Sequence, residues 1–219
     1  GTSIRDLTPI AGLTALTHLT LDNTEVADLG PVAGLSALTH LILDHGRVTD
    51  LAPLAGLSAL TDLSLKFSPV SDISPIAELH ALARLELWVT RVHDLAPLAG
   101  LSSLSRLMVL HTPVSDAAPL AGLSALHMLY LMRTKVSDLA PLAGLSALNI
   151  LNLAGSPVSD LSPLAGLSTL DYLDLSDTQV SDLRPLAGLT QLRSLTLNGV
   201  KADLAPLAHL ENLKVTKRV

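Results

Sequence analysis

The chain has no cysteine, which excludes a disulfide framework and thiolate metal sites and leaves the redox compartment open. Aromatic residues are almost as scarce: one Phe, one Trp and two Tyr make up 2% of 219 residues. A core of ordinary globular type, filled by rings, is therefore excluded, and leucine and alanine must fill it. Charge of one sign is in modest excess. Fourteen Lys and Arg against 20 Asp and Glu leave −6, which argues against nucleic acid as a partner. The uncharged stretch 139–159 is long enough for a membrane span, but it contains Pro141, Gly144, Asn149, Asn152 and Pro157, so no membrane insertion is expected. No signal peptide is legible at Gly1-Thr2-Ser3, as in a mature or recombinant chain. Gly-x-Ser-x-Gly, a phosphate-binding loop and His-Glu-x-x-His are all missing, so no catalytic residues and no cofactor are expected.

What the chain does have is a period. The stretch 126–147, LHMLYLMRTKVSDLAPLAGLSA, has a counterpart upstream in LSRLMVLHTPVSDAAPLAGLSA, from Leu104, and another downstream in LNILNLAGSPVSDLSPLAGLST, from Leu148. The two shifts are equal, and a fixed period of this length denotes a solenoid. Leu129 and Leu131 are two apart and point to one side of a strand, whereas Met128, Tyr130 and Met132 point to the other. The spacing predicts one strand per unit, stacked parallel at about 4.8 Å per step. The leucines of successive units then form a core that no unit could bury alone.

The pattern L-x-x-L-x-L-x-x-[TS]-x-V-x-D-L-x-P-L-A-G-L resembles a leucine-rich repeat, and its 22-residue period and D-L-x-P-L-A tail are most similar to the bacterial, internalin-like class. The resemblance covers nearly the whole chain. It implies an α/β-type repeat solenoid, with a curved parallel β-sheet on the concave face and turns or short 3-10 segments on the convex face. Where that family has an Asn ladder, this chain has Thr24, Ser68, Thr90, Thr112, Thr134, Ser156 and Thr178, and Gly46 in one unit. A hydroxyl can carry part of that ladder because it donates and accepts.

One elongated domain, 1–219, is expected. It comprises a partial unit over 1–15, full units from 16 to about 212, and a polar, basic fragment over 213–219. Aspartates 28, 50, 72, 94, 116, 138, 160 and 182 occupy one slot, three residues before a proline in each unit. A carboxylate there can accept from backbone N–H groups two or three residues on, which explains the row without a calcium site.

Function is expected where the units differ. The first outward row reads His18, His40, Asp62, Arg84, Arg106, Met128, Ile150, Tyr172 and Ser194, while the scaffold slots barely change. Phe67, Trp88, Tyr130 and Tyr172, together with Met108, Met128 and Met132, account for every aromatic and methionine, and all seven fall in outward slots. Among non-core slots, random placement would do this about twice in 1,000, which favours a selected face over drift. Aromatics, Met and Arg carry binding energy at interfaces. The expected partner-binding residues are Phe67, Arg84, Glu86, Trp88, Val89, Arg106, Met108, Leu110, His111, Met128, Tyr130, Met132, Arg133, Ile150 and Tyr172, with acidic residues toward both ends. Trp88, Met108, Tyr130 and Met132 form the expected hot spot.

Two further readings stay open. His18, His40, Asp22, Asp44 and His45 form a weak candidate for a divalent metal, against the simpler reading of a solvated polar patch. His80, His93, His127 and His209 read as ordinary surface residues. The whole is read as a non-enzymatic recognition module for a protein or peptide, monomeric in solution. A diversified, engineered or consensus-type binder fits the contrast between uniform scaffold and varied face. The alternatives are a fragment of a bacterial internalin-like adhesin, secreted or on the cell surface, and a glycan- or metal-binding structural module.

Overall fold

The computed structural model describes residues 3–218. Among them, ten three-residue strands stack in chain order into one parallel sheet: β1 (His18–Thr20), β2 (His40–Ile42), β3 (Asp62–Ser64), β4 (Arg84–Glu86), β5 (Arg106–Met108), β6 (Met128–Tyr130), β7 (Ile150–Asn152), β8 (Tyr172–Asp174), β9 (Ser194–Thr196) and β10 (Lys214–Thr216). Each strand ends because the chain turns two residues after its next core leucine. In β6 the sequence runs through buried Leu129 and Leu131, and Arg133 then adopts φ +52°. Inter-unit pairing continues past the strand: Leu131 N–H reaches Asn152 O at 2.8 Å and Arg133 N–H reaches Ala154 O at 2.7 Å.

The other layer consists of 3-10 turns, from Thr8–Ile10 to Ala205–Leu207. The aspartate slot starts each one. Asp138 Oδ1 accepts from Ala140 N–H at 2.8 Å, and the same bond recurs from Gly30 to Asp28 and from Ser162 to Asp160. Pro141 occupies the second position of its turn, where the missing N–H costs nothing, and Leu142 points into the core. Between the two layers lies one continuous cluster of Leu, Val and Ile from Leu7 to Leu207.

The hydroxyl slot does not form the unit-to-unit ladder that the resemblance suggested. Thr24, Ser68, Thr90, Thr134 and Thr178 each donate to the carbonyl three residues back in their own unit, as Thr134 does to Leu131 O at 2.8 Å. The buried Thr112 hydroxyl has no partner among the described residues. Hydroxyls do link units elsewhere: Thr39, Thr61 and Ser105 each donate to the carbonyl 22 residues back at 3.0 Å.

The last strand stands in a different register from the others. Neighbouring strands pair one full period apart, as His18 does with His40, but Lys214 pairs with Ser194, two positions short of a period. Val215 therefore stands at the core leucine position, which the sequence spacing had given to polar residues, and as an edge-strand residue it is exposed.

Candidate binding surface

The outward side chains of the strands form rows, because residues in register lie side by side. Arg84 pairs with Arg106, Arg106 with Met128, Met128 with Ile150, and Ile150 with Tyr172. In the second row Glu86 pairs with Met108 and Met108 with Tyr130. Met108, Met128, Tyr130, Met132, Ile150 and Tyr172 are half-buried, packed side by side across the middle of the face. Burial first, and the neighbouring Asp174 charge next, push the Tyr172 hydroxyl pKa above its ordinary value.

One expected contact residue is not on the surface. Leu110 is only 7% exposed. In its row Leu110 stands between Trp88 and Met132, the equivalent residues of the neighbouring units. Asp44 and Ser176 of the same row are buried as well. Trp88, in the same row, is 37% exposed.

The exposed apolar surface is concentrated in earlier units than expected. Outside the terminal units, the exposed large hydrophobic residues are Ile42, Phe67, Trp88 and Val89. The Phe67 and Trp88 rings are 5.1 Å apart and tilted by 43°, and the His45 ring stacks on Phe67 at 4.3 Å. Glu86, Arg106 and the half-buried residues flank this ridge, while Arg84, His111 and Arg133 stand exposed beside it.

Next to the ridge is a shallow charged depression of about 220 Å³ between β2 and β4, lined among others by His40, Ile42, Asp62, Lys66, Arg84 and Glu86. Its charges are matched internally. Lys66 Nζ bridges Glu86 and Asp44, and Ser64 Oγ donates to Asp44 at 2.6 Å. Asp62 meets Arg84 Nε at 3.1 Å and His40 Nε2 at 3.4 Å, and takes a hydrogen bond from Thr61 Oγ1 at 2.8 Å. Desolvation works to lower the Lys66 pKa, but the hydrogen bond and charge of Glu86, and then those of Asp44, outweigh it, and the net shift is upward.

The metal candidate comes apart. The His18 and His40 rings stack face to face at 4.1 Å, Asp44 is engaged by Ser64 and Lys66, and His45 lies on Phe67. Among the described residues no group of three or more His, Asp or Glu converges on a metal position. His127 is not the plain surface residue expected: Arg106 Nε donates to its Nε2 at 3.3 Å, so it helps to orient a residue of the face.

Sequence reasoning missed one feature entirely. The slot occupied by Asn23, His45, Phe67, Val89, His111, Arg133 and Asp177, and by Gly155 and Gly199, has positive φ in every full unit. The signal was available, because Asn, Asp and Gly are the residues that tolerate this conformation. Its N–H is fixed by the next unit, as Phe67 N–H is by Trp88 O at 2.7 Å.

No protein-family model matches the chain, and no curated protein does. Solved structures do. Internalin C2 of Listeria monocytogenes is 38% identical, with a TM-score of 0.81 over 84% of this chain and 82% of its own. The internalin InlF of the same organism is 26% identical, with a TM-score of 0.78 over 100% of this chain and 80% of its own. A leucine-rich repeat protein of Leptospira interrogans, 23% identical, shares the fold with a TM-score of 0.89, and the chain covers 57% of its length. Period, strand stacking, 3-10 turns and an identity of 38% across most of both chains agree: the chain belongs to the internalin-like leucine-rich repeat proteins.

Proposed function

We propose that the chain is a non-catalytic recognition module that binds a protein or peptide through the outward face of its sheet. The observation that carries this reading is the placement of Phe67, Trp88 and Val89. With Ile42 they are the large hydrophobic residues left exposed outside the terminal units, and they stand on the one face whose residues vary from unit to unit. An apolar centre with a polar rim is the anatomy of an interface. The face's titratable groups favour binding over catalysis: Asp44, Asp62, Lys66 and Glu86 are held by one another or by neighbouring hydroxyl, guanidinium and imidazole groups. The proposal includes a monomer as the binding species, with the basic end around Lys214, Lys217 and Arg218 discouraging edge-to-edge pairing.

The test is a footprint. Partners are selected from a protein or peptide display library on the full chain, and hydrogen exchange is measured with and without the selected partner. Protection across β3 to β7 supports the reading. Protection confined to the 3-10 turns contradicts it.

A further inference from the structure

The positive-φ slot has a uniform backbone and an uneven choice of residue. The non-glycine residues there have φ between 52 and 56°. Gly, Asn, Asp and His suit this region, while a β-branched residue in it is an outlier. Phe67, Val89 and Arg133, in three of the five units from His45 to Arg133, are nevertheless of types that avoid it. The scaffold imposes the conformation, since Val89 N–H is held by Leu110 O at 2.9 Å. Burial does not offset the cost: Phe67 is 39% and Val89 40% exposed. The fold imposes the strain, and a choice of residues that raises it with no gain in burial points to function.

A second observation lies in the same units. Arg84 and Arg106 are direct register partners on adjacent strands, an arrangement in which like charges repel. Each is anchored through Nε, Arg84 on Asp62 at 3.1 Å and Arg106 on His127 at 3.3 Å. The terminal nitrogens of both guanidinium groups have no hydrogen-bond partner among the described residues. Two guanidinium groups with open terminal donors thus stand side by side next to the exposed apolar ridge, the Arg84 charge partly balanced by Asp62.

We infer that this surface receives an extended acidic–apolar peptide segment of a partner protein. A carboxylate side chain bridges the terminal nitrogens of Arg84 and Arg106, and an aromatic or aliphatic side chain sits on Phe67, Trp88 and Val89. The inference rests on the reading of the sheet face as a recognition surface and adds the chemistry of what is recognised. Guanidinium forks match carboxylates in geometry and charge. Four residues separate Arg84 from Trp88, at most about 13 Å of extended chain. The acid and its apolar neighbour therefore stand about three or four residues apart in the bound segment.

The experiment pans a random-peptide display library on the full chain. Selected peptides are titrated against the parent chain, Arg84→Glu/Arg106→Glu, Val89→Asn and Trp88→Ala. The expected peptides carry Asp or Glu at that spacing from Trp, Phe or Leu. Arg84→Glu/Arg106→Glu weakens them at least about tenfold, and higher salt weakens them too. Val89→Asn, which suits the backbone better, weakens them while its melting temperature stays at or above that of the parent. Basic peptides, peptides indifferent to the arginine reversal, or no enrichment at all overturn the inference. Peptides without an acid that still fail on Trp88→Ala overturn it while leaving the sheet-face reading in place. Peptides indifferent to all three variants overturn both.

Discussion

Phe67 and Trp88 come from successive units and from different slots of the repeat, yet their rings meet at 5.1 Å. The contact exists because Phe67 follows the rim turn at φ +54°, which brings it to the edge of the strand above. Two of the chain's four aromatic residues thus form one exposed ledge, held up by the leucine scaffold behind it.

The scaffold is tested at Leu129, which is fully buried in the middle of the stack. Leu129→Ala should cost about 2–5 kcal/mol in denaturant unfolding, the loss expected when a core leucine leaves a cavity. Leu13→Ala, in a terminal unit where the side chain is 51% exposed, should cost less than about 1 kcal/mol. Equal losses at the two positions would mean that the stack is not packed as described.

Val89→Asn should raise stability by about 1 kcal/mol, because Asn tolerates the left-handed region that Val resists. The exposed side chain gives up little packing in exchange. Thermal melts of the two proteins at neutral pH decide this, and a clear loss in the variant would show that Val89 is packed rather than strained.

The aspartate slot sets the acid limb of the stability profile. The Arg184 side chain, and then its backbone N–H, hold the Asp182 carboxyl down at about 2. Asp72 and Asp160 lie below the ordinary range too, first through the backbone N–H groups of Ser74 and Ser162 and then through their hydroxyls. A lowered folded pKa contributes stability above the unfolded value of about 4, lost as pH falls through the folded one. The melting temperature should therefore drop between about pH 4 and pH 2, and less steeply in Asp182→Asn. Lys66, whose folded pKa is raised, acts in the opposite direction. Its contribution is present below about pH 10 and fades as pH rises through the folded value. An Asp182→Asn profile that parallels the parent between pH 4 and pH 2 would contradict the acid-limb assignment.

How much of this was legible in the sequence depends on the physical cause. The strands, the core and the aspartate bonds follow from the two-residue alternation, the repeat period and short-range geometry, so Leu129, Leu131 and Asp138 stood where the spacing put them. Leu110 did not. Outwardness follows from alternation, but exposure depends on the neighbours in the row, which are a full repeat away in sequence. The positive φ of Phe67 and Val89 was hidden for the opposite reason. It is a property of the slot, and these residues are poor indicators of it, although Asn23 and Gly155 in the same slot were good ones. The Lys66–Glu86–Asp44 network depends on side-chain reach between units and carries no periodic signature. At the C-terminal end the sequence shows a unit one residue short, but the strands pair two residues short of the period, which moves Val215 into the slot that the spacing gave to polar residues.

Association is expected to be weak. Sedimentation at increasing concentration should return the mass of one chain, 22.9 kDa. A mass that grows with concentration would mean that the edge strands β1 and β10 pair between molecules.

The central claim is that binding energy resides on the outward sheet face, and it is tested most directly by titrating one selected partner against three variants. Trp88→Ala and Tyr130→Ala should each weaken binding by at least about 2 kcal/mol without loss of fold, as truncated aromatic anchors do. Ser137→Ala, on the opposite layer, should change it by no more than about 0.5 kcal/mol. Loss of binding in Ser137→Ala together with retention in Trp88→Ala would contradict the account.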